Sequence, residues 1–220
     1  MGARGDYGRE FVLDAPMLAR VQGRGFATAL DVGCGEGRFC RMLQAAGMAT
    51  VGIDPTQALL DRARQLDPLG DYRLARAETM ELPAGSFDLV VSYLSLIDIA
   101  DLAQAVQKMV RALKPGGTFL LANLTSFNTA GSPGWVRNVD GERRYCMDDY
   151  LQERANWVTW RGIRIRNWHR PLSTYMALFL QHGLELRHFD EPRPSGGDPQ
   201  RDAHYRRVPY FHVMEWQKRG

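Results

Sequence analysis

Between Ala27 and Leu124, short runs rich in Val, Leu and Ile alternate with longer stretches whose apolar residues recur every three or four positions. That alternation predicts a parallel sheet covered by helices, an α/β fold. Strands are expected over Thr28–Val32, Thr50–Ile53, Tyr72–Ala75, Phe87–Ser92 and Thr118–Asn123. Their scarcity of polar alternation suits burial on both faces. Leu59, Leu60, Ala63 and Leu66 share a helical face after Thr56, a residue suited to an N-cap. Leu102, Val106, Met109, Val110 and Leu113 do the same after Asp101, with Gln104 three residues on as in a capping box. Pro115-Gly116-Gly117 should end that helix and turn the chain into the next strand.

After Asn123 the pattern breaks. Residues 125–170 are punctuated by Gly131, Pro133, Gly134 and Gly141 and carry Trp135, Tyr145, Tyr150, Trp157, Trp160 and Trp168, which predicts an inserted lid. A helix should begin at Pro171 and bury Leu172, Tyr175, Met176, Phe179 and Leu180 before His182 and Gly183 stop it. Leu184–Phe189 and Val208–Trp216 read as final strands, with a Pro-, Gly- and Arg-rich surface loop between them. Phe11 to Val21 is amphipathic and suits a helix. One domain over residues 1–220 is expected: core 27–124, lid 125–170, and closing helix and strands 171–217.

The chain is 45% hydrophobic and 24% charged, and its formal net charge of +3 does not call for nucleic acid. No apolar run approaches the roughly 20 residues of a membrane helix, and no secretory leader is visible. A cytoplasmic chain, monomeric or homodimeric, without membrane or nucleic-acid partners is the expectation. Cys34, Cys40 and Cys146 are odd in number and lack C-x-x-C spacing, which argues for reduced thiols and against a metal site.

The richest local signal is Leu30-Asp31-Val32-Gly33-Cys34-Gly35-Glu36-Gly37-Arg38, a buried strand entering a glycine turn ahead of a helix. Glycines there let backbone approach a ligand closely, and the helix start offers unpaired N–H groups. A P-loop would need Gly-Lys-Ser/Thr at its end, and a dinucleotide fingerprint would need glycine where Arg38 stands. Nineteen residues after Gly35 comes Asp54, followed by Pro55. That is the spacing at which α/β folds place a ribose-binding carboxylate. With Asp31 entering the turn, a pyrophosphate would be repelled and a cationic nucleoside would not. S-adenosylmethionine meets that requirement. Cys34 reads as a small side chain tolerated between ligand-crowding glycines, not as a nucleophile.

L-D-V-G-C-G-E-G, G-I-D, A-E-T-M-E-L-P, S-F-D-L-V-V-S and L-K-P-G-G, in that order, resemble the signature of class I S-adenosylmethionine-dependent methyltransferases. The resemblance implies a Rossmann-like seven-stranded sheet with an antiparallel last strand and the cofactor over the strand ends. It also implies roles: Gly33 and Gly35 backbone beside the methionine part, Asp31 near its ammonium, and Asp54 on the ribose. Ala77 and Glu78 would lie at the adenine, with Ser92 and Tyr93 facing the methyl group. Arg76 departs from the family, many of whose members carry Asp there. His169 to Tyr175, with Gly183-Leu184, Phe189 and Glu191-Pro192, is similar to the tail of small-molecule methyltransferases of the quinone-biosynthesis-like type.

The expected reaction is methyl transfer to a small aromatic or hydrophobic metabolite, O-methylation foremost, with S-adenosylhomocysteine as product and no metal. His169 is the candidate base, or else a hydrogen-bonded residue of a lid hinge. Tyr7, Trp135, Trp168 and Arg170 are candidate acceptor contacts. Arg161, Arg164, Arg166 and Arg170 surround Ile163 and Ile165; the two isoleucines share one face and Arg164 and Arg166 the other, as on an exposed strand. Rival readings are an RNA or protein methyltransferase and a non-catalytic S-adenosylmethionine-binding module. Ser92-Tyr93-Leu94-Ser95 lacks the Asn/Asp-Pro-Pro-aromatic sequence that grips a planar nitrogen.

Overall fold

The computed structural model describes residues 6–160 and 163–220; Arg161 lies outside them. The first five strands are β1 (Thr28–Val32), β2 (Ala49–Asp54), β3 (Asp71–Leu74), β4 (Phe87–Tyr93) and β5 (Leu113–Leu124). Two hairpins follow, β6 (Gly131–Arg137) with β7 (Arg143–Met147), and β8 (Arg154–Trp160) with β9 (Ile163–His169). The last strands are β10 (Leu184–Asp190) and β11 (Phe211–Lys218). Seven of these form one sheet in the order β10-β11-β5-β4-β1-β2-β3. Pairing is parallel from β3 to β5, while β11 runs antiparallel to both β5 and β10.

Strand alternation sorts the core onto the two sheet faces. Val90, Phe119, Leu121, Met214 and Trp216 pack with Val106 and Met109 of α4 (Leu102–Ala112) and Phe179 of α6 (Leu172–Gln181). Their neighbours Leu89, Val91, Leu120, Ala122 and Val213 pack with Leu13, Met17 of α1 (Asp14–Ala19), and Phe39 and Leu43 of α2 (Arg38–Ala45). Burial on both faces holds for the central strands. It fails at β3, the edge strand, where only Tyr72 is buried.

The helix expected at the N-terminus is present, its first turn π-helical over Arg9–Leu13. Arg20 and Arg24 tie the end of this segment to Glu215 on β11, at 2.6 and 3.0 Å. Thr56 does precede α3 (Gln57–Leu66), yet its side chain caps nothing; its amide donates to Asp54 Oδ1 at 2.8 Å. Asp101 caps α4 as expected, accepting from the Gln104 amide at 3.0 Å. Pro171 stands at the N-cap of α6, not at its first helical position. Pro115-Gly116-Gly117 falls inside β5, but Gly116 has φ +73° and the register with β4 slips there, so the regular ladder starts at Thr118.

The loop expected after β10 contains a helix, α7 (Pro199–Tyr205), whose N-cap Asp198 accepts from the Arg201 amide at 2.8 Å. Asp followed by Pro at N1 was the available signal for it. Residues 125–170 do leave the sheet, as α5 (Ser126–Thr129) and the two hairpins. On β9, Arg164 and Arg166 are exposed and Ile165 is half-buried, the alternation expected of a strand with one wet face. No helix among the described residues is long and apolar enough to cross a membrane.

Gly37 closes the turn after β1 with φ +70°, and a Cβ there would come within 2.5 Å of the Tyr72 ring, whose hydroxyl is held by Asp67 at 2.9 Å. Gly37→Ala therefore combines a left-handed backbone penalty with a clash against a fixed ring. It should cost at least about 2 kcal/mol in urea unfolding; an unchanged midpoint would contradict the packing described.

Candidate functional site

Three strand ends and the turns that follow them build the site. At the end of β1 the amides of Gly33 and Cys34 both donate to the Ile53 carbonyl, at 2.8 and 3.0 Å. Gly33 has φ +80°, and a Cβ on it would lie 2.3 Å from the Ser95 side chain. Ser95 follows β4 and donates its hydroxyl to the Val32 carbonyl at 2.5 Å. Its single proton being used, it accepts from Ser92 at 2.6 Å. The amide of Gly35 donates to Asp54 Oδ2 at 3.0 Å. A Cβ on Gly35 would meet only Leu59, at 4.0 Å, so this glycine borders open space. The turns after β1, β2 and β4 are thus locked to one another by backbone bonds to Ile53 and by the side chains of Asp54 and Ser95.

The charge of the site is negative. Asp31 and Asp54 are both buried. Asp31 accepts from the Cys40 thiol at 3.3 Å, and its Oδ1 has no partner. Burial pushes the Asp31 carboxyl up to about 7; the Cys40 bond opposes this and Asp54 adds to it. Asp98, in a 3₁₀ turn (Leu96–Asp98) after β4, keeps an exposed edge. Surrounding protein pushes its carboxyl up to about 7 as well, Arg9 opposing and Asp54 reinforcing. Two carboxyls that feel a third leave the site short of positive charge.

Comparison with known proteins places this geometry. A family model described as "Methyltransferase domain" matches residues 30–121. The chain is 33% identical over 184 residues to a malonyl-[acyl-carrier protein] O-methyltransferase of Salmonella typhimurium, covering 81% of this chain and 72% of that one. Class I S-adenosylmethionine-dependent methyltransferases are the family to which this chain belongs. An enzyme of the same printed name from Serratia marcescens is 31% identical over 145 residues, 64% of this chain. The chain spans 57% of that relative and 45% of the Yersinia pestis one. A Mesorhizobium loti S-adenosylmethionine dependent methyltransferase structure superposes with a TM-score of 0.83 and 28% identity, over 99% of this chain and 100% of that one. A Listeria monocytogenes structure at 23% identity shares the fold, with a TM-score of 0.84 over 94% and 96% of the two chains.

The cofactor of this methyltransferase family is S-adenosylmethionine, and the residues present fit it. The unpartnered Asp31 oxygen, the open approach at Gly35 and a donor set rich in carboxylate suit a cationic adenosine derivative. Ala77 is buried and Glu78 half-buried just beyond β3, where Glu78 pairs with Arg76 at 3.5 Å. Pro55 is exposed beside Asp54. Cys34 is buried; a Cβ on Gly52 would lie 2.8 Å from its sulfur and 2.9 Å from that of Cys40.

Tyr93 departs from the expected role. Its ring meets Phe39 edge-on at 4.9 Å, and its hydroxyl donates to Asp14 at 2.8 Å. Burial and then Asp14 push its pKa far up, so it stays a phenol.

His169 is a buried clamp. A carbonyl only accepts, so Nε2 carries the proton given to the Tyr150 carbonyl at 2.8 Å; Nδ1 then accepts from Thr129 Oγ1 at 2.7 Å. Burial lowers its pKa, and Arg154 adds to the effect. With both nitrogens engaged inside the protein, this geometry answers to the hinge reading and opposes the base reading. Arg170 is likewise buried, and its guanidinium donates to the Ile99 and Ala100 carbonyls at 2.8 and 3.0 Å. Those bonds fix the loop after β4, leaving no fork for an acceptor carboxylate. Trp168 stacks against Arg166 and Arg170.

Tyr7 and Trp135, far apart in sequence, are joined by α7 and the residues beyond it. Tyr7 donates to the Gly196 carbonyl at 3.1 Å and packs on Tyr205 at 5.2 Å; Tyr205 packs on Tyr210 at 4.4 Å; Trp135 Nε1 donates to Tyr210 Oη at 2.7 Å. Trp135 also lines a cavity of about 480 Å³ with Phe127, Tyr145, Met147, Val208 and Pro209. Sequence reasoning missed Ser95, Asp98 and Tyr210. The clash that a β-carbon at Gly33 would make was the one signal for Ser95, and it needs coordinates.

Two predictions follow from these protonation states. Because Asp31 titrates near 7, a cation entering at lower pH must displace its proton, so S-adenosylmethionine affinity should rise severalfold from pH 6 to 8 in calorimetry. In the chain alone the sign reverses: stability from protonated Asp31 is full below about pH 4 and is lost as pH rises through 7. Asp31→Asn should shrink both dependences to the part that Asp98 contributes, and an affinity profile unchanged by the substitution would remove Asp31 from the site. For His169, Ala should cost roughly 1–3 kcal/mol of stability by stranding buried partners. The pH profile of turnover should keep its shape; loss of its acidic limb would restore His169 as a base.

Proposed function

We propose that the chain transfers a methyl group from S-adenosylmethionine to an oxygen of a small, ring-bearing or otherwise apolar metabolite. The observation that carries the acceptor class is the ring-lined cavity that follows β5, bounded by Phe127, Trp135 and Tyr145. The relatives named as O-methyltransferases support oxygen as the atom methylated.

When bound, S-adenosylmethionine supplies a methyl group already activated on sulfur. The protein's part is then positioning and exclusion of water, worth up to roughly 7–11 kcal/mol when the nucleophile is held at attack distance. Asp54 would take the ribose hydroxyls on lone pairs left free by the Gly35 and Thr56 amides. Asp31 would meet the ammonium, Gly33 and Gly35 would admit the amino-acid part, and Ala77 with Glu78 would flank the adenine. Cys34 and Pro55 would complete the wall. Ser92 would act through Ser95, keeping the turn after β4 against β1. His169 and Arg170 would hold the lid root in place.

A second reading, in which the acceptor is carried on a protein, is favoured by the malonyl-[acyl-carrier protein] relatives. Labelled-methyl transfer into a cell extract, fractionated into small molecules, protein and RNA, separates the two. Label should appear among small molecules. Label confined to protein would favour the carrier-bound reading, and label in RNA would overturn both. Asp54→Asn should weaken S-adenosylmethionine binding at least about tenfold and also lower the thermal midpoint, since the amide keeps one acceptor oxygen and turns an NH2 towards the Gly35 or Thr56 amide. Equal affinity in calorimetry would take Asp54 out of the cofactor site.

A further inference from the structure

Many arginines of the described residues are spent on carboxylates, as Arg20 and Arg24 are on Glu215 and Arg38 is on Asp14. Arg143 and Arg207 belong to the rest and share one ring. Each lies over Trp135, at 5.4 and 4.8 Å from the ring centre, and Arg207 donates to the Arg143 carbonyl. Among the described residues neither has a carboxylate in ion-pair range. Both line a second cavity, of about 500 Å³, with Arg201, Gln200 and His204. Asp198 also borders it, its Oδ1 accepting the Arg201 amide as the cap of α7, so this one carboxylate faces three arginines, Arg143, Arg201 and Arg207. Arg207 belongs to both cavities, so the charged recess adjoins the ring-lined one.

The hydrogen-bond chain beneath adds a donor. Trp135 Nε1 gives its proton to Tyr210 Oη, which must then donate to His204 Nε2, 2.6 Å away. A neutral imidazole that accepts at Nε2 carries its proton at Nδ1. Burial, with Arg143 and Arg207 beside it, keeps His204 from charging. The recess therefore presents two guanidiniums without a carboxylate partner and a neutral imidazole next to three aromatic or sulfur-bearing walls, Trp135, Tyr145 and Met147.

We propose that this paired recess binds a flat apolar molecule carrying one anionic group, carboxylate or phosphate, with the anion between Arg143 and Arg207 and the flat part against Trp135 and Tyr145. Planar guanidiniums match both anions through paired N–H donors, and their stacking on Trp135 holds them extended before the ligand arrives. The inference deepens the acceptor reading given above and rests on it for the ligand's role in turnover, though not for binding.

Calorimetry on the full chain with naphthoate, naphthyl phosphate and neutral naphthamide tests it. The anionic probes should bind at least about tenfold more tightly than the amide, and their ratio tells carboxylate from phosphate. Arg143→Gln and Arg207→Gln should each bring anion affinity down towards that of naphthamide, with S-adenosylhomocysteine affinity unchanged as proof of an intact fold. Trp135→Leu should weaken all three probes. Equal binding of amide and anions, or no binding by any probe, would overturn the proposal. So would tighter binding of a short oligouridylate than of either small anion, because the arginines would then form a polyanion surface. Binding is read without turnover: methyl transfer with no probe bound would remove this inference and leave the methyltransferase reading standing.

Discussion

The carbonyl of Ile53 receives two amides from the turn after β1, and the carboxylate of Asp54 beside it receives a third. A glycine-rich turn of this length would otherwise sample many conformations, each glycine adding backbone entropy. Anchoring it to β2 in three places, and pressing Gly33 against Ser95, turns a loose segment into a rigid rim with a single shape. Everything else at the site inherits its position from that rim. Asp31 is buried because the turn folds over it, Ser95 is oriented because Gly33 leaves it room, and α2 starts where Gly37 can adopt a left-handed φ.

Residues 125–170 are attached by a different kind of bond. Thr125 donates to the Pro209 carbonyl at 2.5 Å and caps α5, His169 spans Thr129 and Tyr150, and Arg170 gathers carbonyls of the turn after β4. Thr125 joins residues 125–170 to the segment entering β11, Arg170 joins them to the loop that carries Asp98, and His169 ties them to themselves. Being buried, each loses more by being unpaired than it gains by being paired, which makes the attachments specific as well as firm. The hairpins beyond them meet the rest of the protein chiefly through rings, a softer contact that lets a recess exist between them and α7.

Much of this was legible in the chain because the sheet is specified by local patterns. β1 matches its expected bounds, and the glycine turn and the Asp54 spacing are short-range features whose geometry follows from the residues themselves. The roles of His169 and Arg170 were not legible. Both lie at the end of a strand whose alternation says nothing of partners, and whether a histidine is a base or a clamp depends on residues 19 and 40 positions away. Tyr93 failed for a related reason: strand alternation fixes which face a residue takes, but Asp14, which claims its hydroxyl, is 79 residues distant. α7 was overlooked because an Arg- and Pro-rich composition outweighed a sound capping signal at Asp198.

Charge is distributed with opposite sign across the molecule's two working regions, and this bears on where a rate enhancement can arise. Carboxylates around the glycine turn favour a cation, but positive charge on sulfur is lost as a methyl group leaves it. Acidic residues that bind a sulfonium tightly therefore stabilise the starting state more than the transition state, and by themselves would slow the step. Burial of Asp31 limits this penalty: holding its carboxyl ionised beside the cation costs desolvation that offsets part of the attraction. On the proposed acceptor reading, barrier lowering would come from the acceptor's side, from walls such as Trp135 and Tyr145 placed to restrict a nucleophile's rotation. A site divided in this way needs a rigid rim at the donor and a shaped, dry recess for the acceptor, and the fold spends its glycines on the first and its aromatic rings on the second.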